Sequence, residues 1–492
     1  MQGLKSFLFE NKTMRQTVAK NTFWLTFGNI VSRLIRAILI IYAARILGVE
    51  GYGVFSYALS LAGFFSIFAD IGLTPLLTRE SAKNPEQRER LIGTALTIKF
   101  FFVALCAALI LFVAPLFAKL EGTSDLFYII IFLFTFDTLR DFFFGYSRSI
   151  EKMEIEAGIN ILTNLAILVL GAAALYLAPS TKLLTAAYTA GSAAGTLALV
   201  LVLRKHLKRV FSSFSRELVR PILTEAWPFA LASLLGTIML NTDMLMLGWL
   251  RGALDVGLYS AAQKIILLVY LIPGYLIVSL FPSLARLANS DDSRFHSILE
   301  KGIKAMFLIA FPFAVGGILL SHEIVFLVYG SEYVGASPAF TLLLMTFFLV
   351  FPGTLISNAV FAYNKQRLFI WFVGLGAIAN VVLNYFLIPT YGIVGSAIAT
   401  IASQALANSF NWFAMKRVNN FRTLIHLPRI IAATFIMAMV VFVMNTFGTH
   451  TVITIALGGA TYLAALYALK EPLLTDLNPI TIIGNDIKEG LS

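Results

Sequence analysis

Long apolar runs follow one another along nearly the whole chain, and they do not alternate residue by residue. Runs of about 20 residues or more fit the thickness of a bilayer as helices. Backbone groups in hydrocarbon must be satisfied within the chain, which only helices and closed barrels achieve. The pattern therefore predicts an all-α polytopic membrane protein. The expected spans are 22–47, 52–77, 91–117, 125–147, 156–178, 182–203, 222–249, 256–282, 302–320, 337–362, 368–388, 391–415, 429–447 and 450–469. Most polar connections are turns, such as Pro389-Thr390-Tyr391-Gly392, and the longest outer segment is 321–336. That is too short for a separate folded module.

Arrangement follows from the same pattern. Two groups of six spans, 22–203 and 222–415, flank a basic linker at 204–221, which holds Arg204, Lys205, Lys208, Arg209, Arg216 and Arg220. Spans at 429–469 follow, with polar ends at 1–21 (basic and amphipathic) and 470–492. A short internal repeat pairs Gly53-Val54-Phe55-Ser56-Tyr57-Ala58 with Gly257-Leu258-Tyr259-Ser260-Ala261-Ala262, and each copy follows a turn-like segment, Gly48–Tyr52 or Arg251–Val256. It opens the second span of each group, as parallel repeats about an axis along the membrane normal would.

Composition agrees: 59% of the 492 residues are hydrophobic and 13% charged, with mean hydropathy +0.84. The formal charge of +11 is not a nucleic-acid signature, because the basic residues lie mostly on one side of the predicted membrane. Only Arg45, Lys119, Lys182 and Arg251 fall on the other. The positive-inside rule then places both termini in the cytoplasm, in a multi-pass cell (inner) membrane protein. The first run is too long and too Arg-marked for a cleaved signal peptide. Cys106, the one cysteine, excludes an internal disulfide.

Charges inside the spans are the candidates for chemistry, because they are expensive there. Arg33 and Arg36 share a face near the middle of the first span, and two guanidinium forks suit a diphosphate. The other reading is packing against acids or carbonyls of neighbouring helices. Lys99 either serves the same cavity or snorkels to the headgroups. Arg140 shares a face with Asp137, with Asp141 next in sequence, so a structural ion pair competes with ligand binding. Asp243 and Lys264 lie about 9 and 12 Å below the outer ends of their spans, a depth at which they could pair or exchange for a coupling cation. Asp70 and Glu225 read as cap or interface charges. In-span Asn160, Asn164, Asn241, Asn358, Asn380, Asn384, Gln404, Asn408 and Asn411 read mostly as interhelical hydrogen-bonders. No phosphate-binding loop or metal-ligand spacing is present in the sequence, so neither ATP hydrolysis nor a metal centre is expected.

Several stretches resemble the Wzx-like polysaccharide flippases of the multidrug/oligosaccharidyl-lipid/polysaccharide exporter superfamily. They are Ala44-Arg45-Ile46-Leu47-Gly48, Glu50-Gly51-Tyr52-Gly53, Ala69-Asp70-Ile71-Gly72-Leu73, Val256 to Ala262, Tyr329-Gly330-Ser331-Glu332-Tyr333 and Tyr391 to Ala397. The resemblance implies two six-helix lobes plus two further helices. It implies alternating access and a lipid-linked, polyprenyl-type oligosaccharide carried from inner to outer leaflet. It also implies a cationic cavity, which fits Arg33, Arg36 and Lys264, with Lys99 and Arg140 as further candidates. An ion gradient or membrane potential drives such transport, with Na+ or H+ as coupling ion; the resemblance carries over no specific coupling site, and Asp243, Asp137 and Asp70 are the coupling or ion-pair candidates among the in-span acids. No other cofactor is expected, no nucleic acid, membrane lipid as the surrounding partner, and a monomer. The competing readings are a drug exporter of the same superfamily and, from another class, a glycan polymerase or ligase. The short outer connections disfavour the last.

Overall fold

The computed structural model describes residues 14–117, 120, 122–211, 213–422 and 427–472. Residues 1–13 of the expected N-terminal segment, Lys119 and residues 473–492 of the expected tail lie outside them.

The described residues are helical nearly throughout. Helix α1 (14–47) and α2 (49–70) are separated only at Gly48, where φ is 68° and ψ 180°. Then come α3 (Leu73–Lys83), α4 (Arg88–Phe112), α5 (Phe127–Ser149), α6 (Met153–Leu177), α7 (Thr181–Phe211) and α8 (Arg216–Leu250). The chain continues through α9 (Ala253–Val269), α10 (Leu271–Leu287), α11 (Asp292–Leu319), α12 (Ser321–Tyr329), α13 (Ser337–Met345) and α14 (Phe347–Ala362). Helices α15 (366–391) and α16 (393–418) are parted at Gly392, φ 54°. Last are α17 (Pro428–Thr446) and α18 (Thr451–Ala468).

Among the described residues, ten stretches are long and apolar enough to cross a membrane by length and composition alone. One of these holds both α15 and α16, and α1, α2 and α5 stand outside the ten. With them, fourteen helical segments among the described residues match the fourteen expected spans, the eighth built from α9 and α10 and the tenth from α13 and α14.

Several expected boundaries move. The turn expected over Gly48–Tyr52 shrinks to Gly48, since one residue with positive φ reverses the chain where a side chain would resist. The second span, expected to reach residue 77, stops at Asp70. Ile71 and Gly72 both take positive φ, and α3 leaves in a new direction. The basic stretch after residue 203 is still helix as far as Phe211. The outer segment 321–336 is also helical, as α12 and a 3-10 turn over Ser331–Ala336.

The chain forms two compact units. The first holds residues through Ser260 together with Asn384–Ile393, and the second Ala261–Leu383 with Val394 onward. In the first unit α2, α4, α5, α6, α7 and α8 pack on one another and on α1. Its close approaches use small residues, as membrane interfaces do. A Cβ added at Gly195 would sit 1.8 Å from Thr163 Oγ1, and one at Gly191 2.6 Å from Ile167 Cγ1, so α6 and α7 meet along a Gly-x-x-x-Gly face. The internal repeat is also realised as contact. A Cβ at Gly53 would fall 1.9 Å from Ala253 O, and one at Gly257 2.1 Å from Val49 O. Ser260 Oγ donates to Ser56 Oγ at 2.9 Å. Gly53 and Gly257 thus each face the turn preceding the other copy, and Ser56 faces its counterpart Ser260.

In the second unit α17 and α18 pack on each other and on α11, burying Leu320, Ile430, Ala433, Met437, Val441, Tyr462 and Leu466. Tyr462 Oη donates to Leu308 O at 2.8 Å. Glu471, just past α18, is fully buried and forms an ion pair with Lys304 of α11.

Candidate functional site

A cavity of about 340 Å³ opens inside the first unit, near the end of α2 that leads into α3. It is lined by Ser66, Ile67 and Asp70 of α2, Thr74 of α3, Lys99 of α4, Thr138, Asp141, Phe144 and Arg148 of α5, and Ser233 of α8. The lining contrasts with a second pocket of about 190 Å³, whose walls include Tyr57, Leu61, Phe64, Phe65, Phe127 and Leu245 and offer only apolar surface apart from the tyrosine.

Local sequence explains how the charges come together. The break at Ile71-Gly72 frees Asp70 from continued helix, and its carboxylate turns to the start of α3. Thr74 Oγ1 donates to Asp70 Oδ1 at 2.5 Å, and the Thr74 amide to Oδ2 at 3.4 Å. This is the capping role expected of Asp70. Lys99 Nζ forms an ion pair with the same carboxylate and lies 5.6 Å from the centre of the Phe142 ring. The Lys99 side chain is 1% exposed and that of Asp70 23%, so solvent reaches the pair through the carboxylate. Lys99 therefore does not snorkel; it is buried against a partner.

On α5, Thr138, Asp141, Gly145 and Arg148 recur at three- and four-residue spacing and form one polar, small-residue stripe. Gly145 allows α3 to approach, since an added Cβ would meet Thr74 Cγ2 at 2.8 Å. Arg148 binds Glu156 with both arms of its fork, Nε to Oε2 at 2.7 Å and Nη2 to Oε1 at 2.5 Å. Arg140 faces elsewhere. Its Nη2 is 2.7 Å from Asp137 Oδ1 and its Nη1 donates to Ser192 Oγ at 2.8 Å, while Ser192 donates to Asp137. The structural ion pair read from the 137/140 spacing is present.

Three cations are thus each matched to a carboxylate: Lys99 to Asp70, Arg140 to Asp137 and Arg148 to Glu156. Asp141 is left over. It is exposed to the cavity it lines, and among the described residues it accepts no hydrogen bond and forms no ion pair. The Thr138 hydroxyl, 2% exposed, also has no partner there.

The other expected site residues lie apart from this cavity's lining. Arg36, half-buried at mid-α1, donates from Nε to Asn164 Oδ1 at 2.9 Å. Asn164 is itself fixed by bonds from Nδ2 to Asn160 O and Oδ1 at 2.8 and 3.0 Å. Among the described residues Arg36 forms no ion pair, so a neutral amide holds its charge. Arg33, one turn earlier, is exposed. Asp243 is wholly buried and accepts from Tyr259 Oη and Asn384 Nδ2, both at 2.7 Å. Lys264 lies in the second unit, half-buried on α9. Glu225 reaches Arg79 at 3.5 Å on an exposed surface, as an interface charge. Sequence reasoning passed over Asp141, Thr138 and Arg148 as site residues, although their common helical face was readable.

Comparison with known proteins places this geometry. The family model described as polysaccharide biosynthesis protein matches residues 18–288, and the MatE model matches 228–386. The chain is 26% identical over 403 residues to the "Putative O-antigen transporter" of Shigella flexneri, spanning 78% of this chain and 94% of that one. It is 23% identical over 394 residues to the "Probable low-salt glycan biosynthesis flippase Agl15" of Haloferax volcanii, spanning 79% and 81%. Among solved structures, the lipid II flippase MurJ in an inward closed conformation superposes with TM-score 0.76 at 17% identity, covering 91% of this chain and 98% of that one. An inward-facing MATE-family multidrug transporter superposes with TM-score 0.63 at 14% identity, covering 80% and 95%. At such identities the structural likeness concerns the fold alone.

Proposed function

Because the chain belongs to the polysaccharide biosynthesis protein family, whose model spans more than half of it, we propose that it is a flippase for a lipid-linked oligosaccharide. It carries a diphosphate-linked, polyprenyl-type glycan from the inner to the outer leaflet by alternating access, driven by an ion gradient or the membrane potential. The relatives' names supply the substrate class. The observation that carries the reading is Arg36, a guanidinium at mid-helix held by the Asn164 amide, with no carboxylate paired to it among the described residues. A diphosphate cannot enter hydrocarbon without substitute solvation. A fork with unspent charge supplies it, and forked donors match phosphate oxygens.

Arg33 adds a second fork on the same helix, and Lys264 is a further candidate cation. Lys99 and Arg140 rank below them, since each would have to trade an aspartate for phosphate. Asp243, Asp137 and Asp70 are the candidate coupling carboxylates. The functional lobes are 22–203 and 222–415, joined by the basic linker. The protein works as a monomer in the inner membrane, with both termini cytoplasmic by the distribution of basic residues.

A drug-exporter reading draws support from the MatE match over 228–386. An exporter of organic cations would be poorly served by uncompensated guanidinium, so the anionic substrate is favoured. The test is glycan export in cells lacking the gene. Arg33→Ala/Arg36→Ala is expected to insert normally and to leave lipid-linked oligosaccharide in the inner leaflet. Full export by the double variant overturns the reading.

A further inference from the structure

We propose that Asp141 is a proton-binding site, open to water through the α2–α5 cavity. The count of charges around the cavity leads there. Lys99, Arg140 and Arg148 are each committed to a carboxylate at hydrogen-bonding distance. Four carboxylates stand near three cations, and Asp141 is the one with no ion pair among the described residues. An ionised carboxylate inside a membrane protein is costly unless water, a cation or a proton offsets it, and no cation is paired with this one among the described residues. The smallest neutraliser is a proton, which needs one oxygen and water access. Both are present, because Asp141 lines the cavity of about 340 Å³, which has room for water, and is exposed to it.

Thr138 gives an independent indication. Its hydroxyl is buried, unpartnered among the described residues, and belongs to the same cavity wall one helical turn before Asp141. A hydroxyl serves both forms of an acid: it donates to the carboxylate and accepts from the protonated group. A metal ion is a poorer fit. No group of three or more acidic, cysteine or histidine side chains is placed to hold one among the described residues, and the Lys99 ammonium lines the same cavity.

The groups facing Asp141 set the conditions for proton binding. Asp70 on α2 and Lys99 on α4 nearly cancel as a pair. On α5 itself, Arg140 and Asp137 likewise cancel, and Arg148 is matched by Glu156 of α6. Helix α8 contributes only the neutral Ser233. When a proton arrives, one O–H bond forms at an Asp141 oxygen and one is broken in hydronium; release reverses both. The site stands on the cavity alone, whereas its use in driving export rests on the flippase reading.

The experiment is difference infrared spectroscopy of carboxyl groups on the full-length protein in lipid nanodiscs. The pH is stepped from mildly acidic to mildly basic, in sodium and in sodium-free buffer. One titrating carboxyl signal is expected in both buffers. It should be lost in Asp141→Asn and retained at an altered frequency in Asp141→Glu. In Thr138→Val its midpoint should move by roughly half a pH unit or more. A signal that survives Asp141→Asn, or that titrates only when sodium is withdrawn, overturns the proposal. Should both Asp141 variants fail to fold, Thr138→Val decides, and an unmoved midpoint overturns it. Gene deletion separates the two claims: a titrating Asp141 in a protein whose loss leaves glycan export intact would sink the flippase reading and spare the proton site.

Discussion

Two buried lysines, one in each unit, make the same bond in different surroundings. Lys99 pairs with Asp70, whose carboxylate is 23% exposed beside a cavity of about 340 Å³. Lys304 pairs with Glu471, whose side chain is fully buried next to the core formed by α17, α18 and α11. Effective dielectric separates them. Water at one partner screens the charges and lets it change partners, while a sealed pair must stay closed because either charge alone is intolerable. The Lys304–Glu471 bond therefore reads as a clamp that fixes the end of α18 onto α11. The Lys99–Asp70 bond reads as part of a working surface.

The largest expected effect tests the clamp. Glu471→Ala strands the Lys304 ammonium and should lower stability by about 3–5 kcal/mol, seen as a large drop in thermal unfolding temperature of the protein in detergent or nanodiscs. Replacing both partners with apolar residues, Lys304→Met/Glu471→Leu, should restore most of the loss, because no buried charge remains. A double variant as weak as Glu471→Ala would break the comparison, showing that shape rather than charge holds the joint.

The next effect is smaller by the same logic. Lys99→Met leaves Asp70 with two hydrogen bonds from Thr74 and with access to water. Its stability cost should be about 1–2 kcal/mol, well under that of Glu471→Ala in the same assay. Equal costs would mean that the cavity does not solvate Asp70, and the distinction between the two lysines would fail.

Sequence alone carried the fold a long way, because each span must satisfy its own backbone and so must be long, apolar and helical. The 137/140 ion pair and the Asp70 cap were also readable, since both depend on spacing within one stretch of chain. The partners of Lys99, Lys304 and Arg36 were not. They lie 29, 167 and 128 residues away in sequence, and which faces meet depends on small-residue packing such as Gly191 and Gly195 against α6. Asp141 shows a different loss. Its stripe with Thr138 and Arg148 was visible at helical spacing, but only the committed partners of its neighbours make it stand out.

The smallest expected effect extends the comparison to Arg36, a cation held by a neutral amide. Asn164→Ala removes the acceptor from Arg36 Nε and should cost about 1 kcal/mol, the ordinary worth of one hydrogen bond, because a half-buried guanidinium retains some contact with solvent. Its consequence for export should exceed its consequence for stability, since the amide aims the fork that the proposed diphosphate would meet. Asn164→Asp sharpens the point. It keeps the shape and adds a carboxylate, turning Arg36 into a matched pair like Lys99. Stability should hold or rise slightly while export falls, if uncompensated charge at mid-helix is what the substrate requires. Export unchanged in Asn164→Asp would show that Arg36 acts without its free charge, and would move the search for the phosphate contact to Arg33.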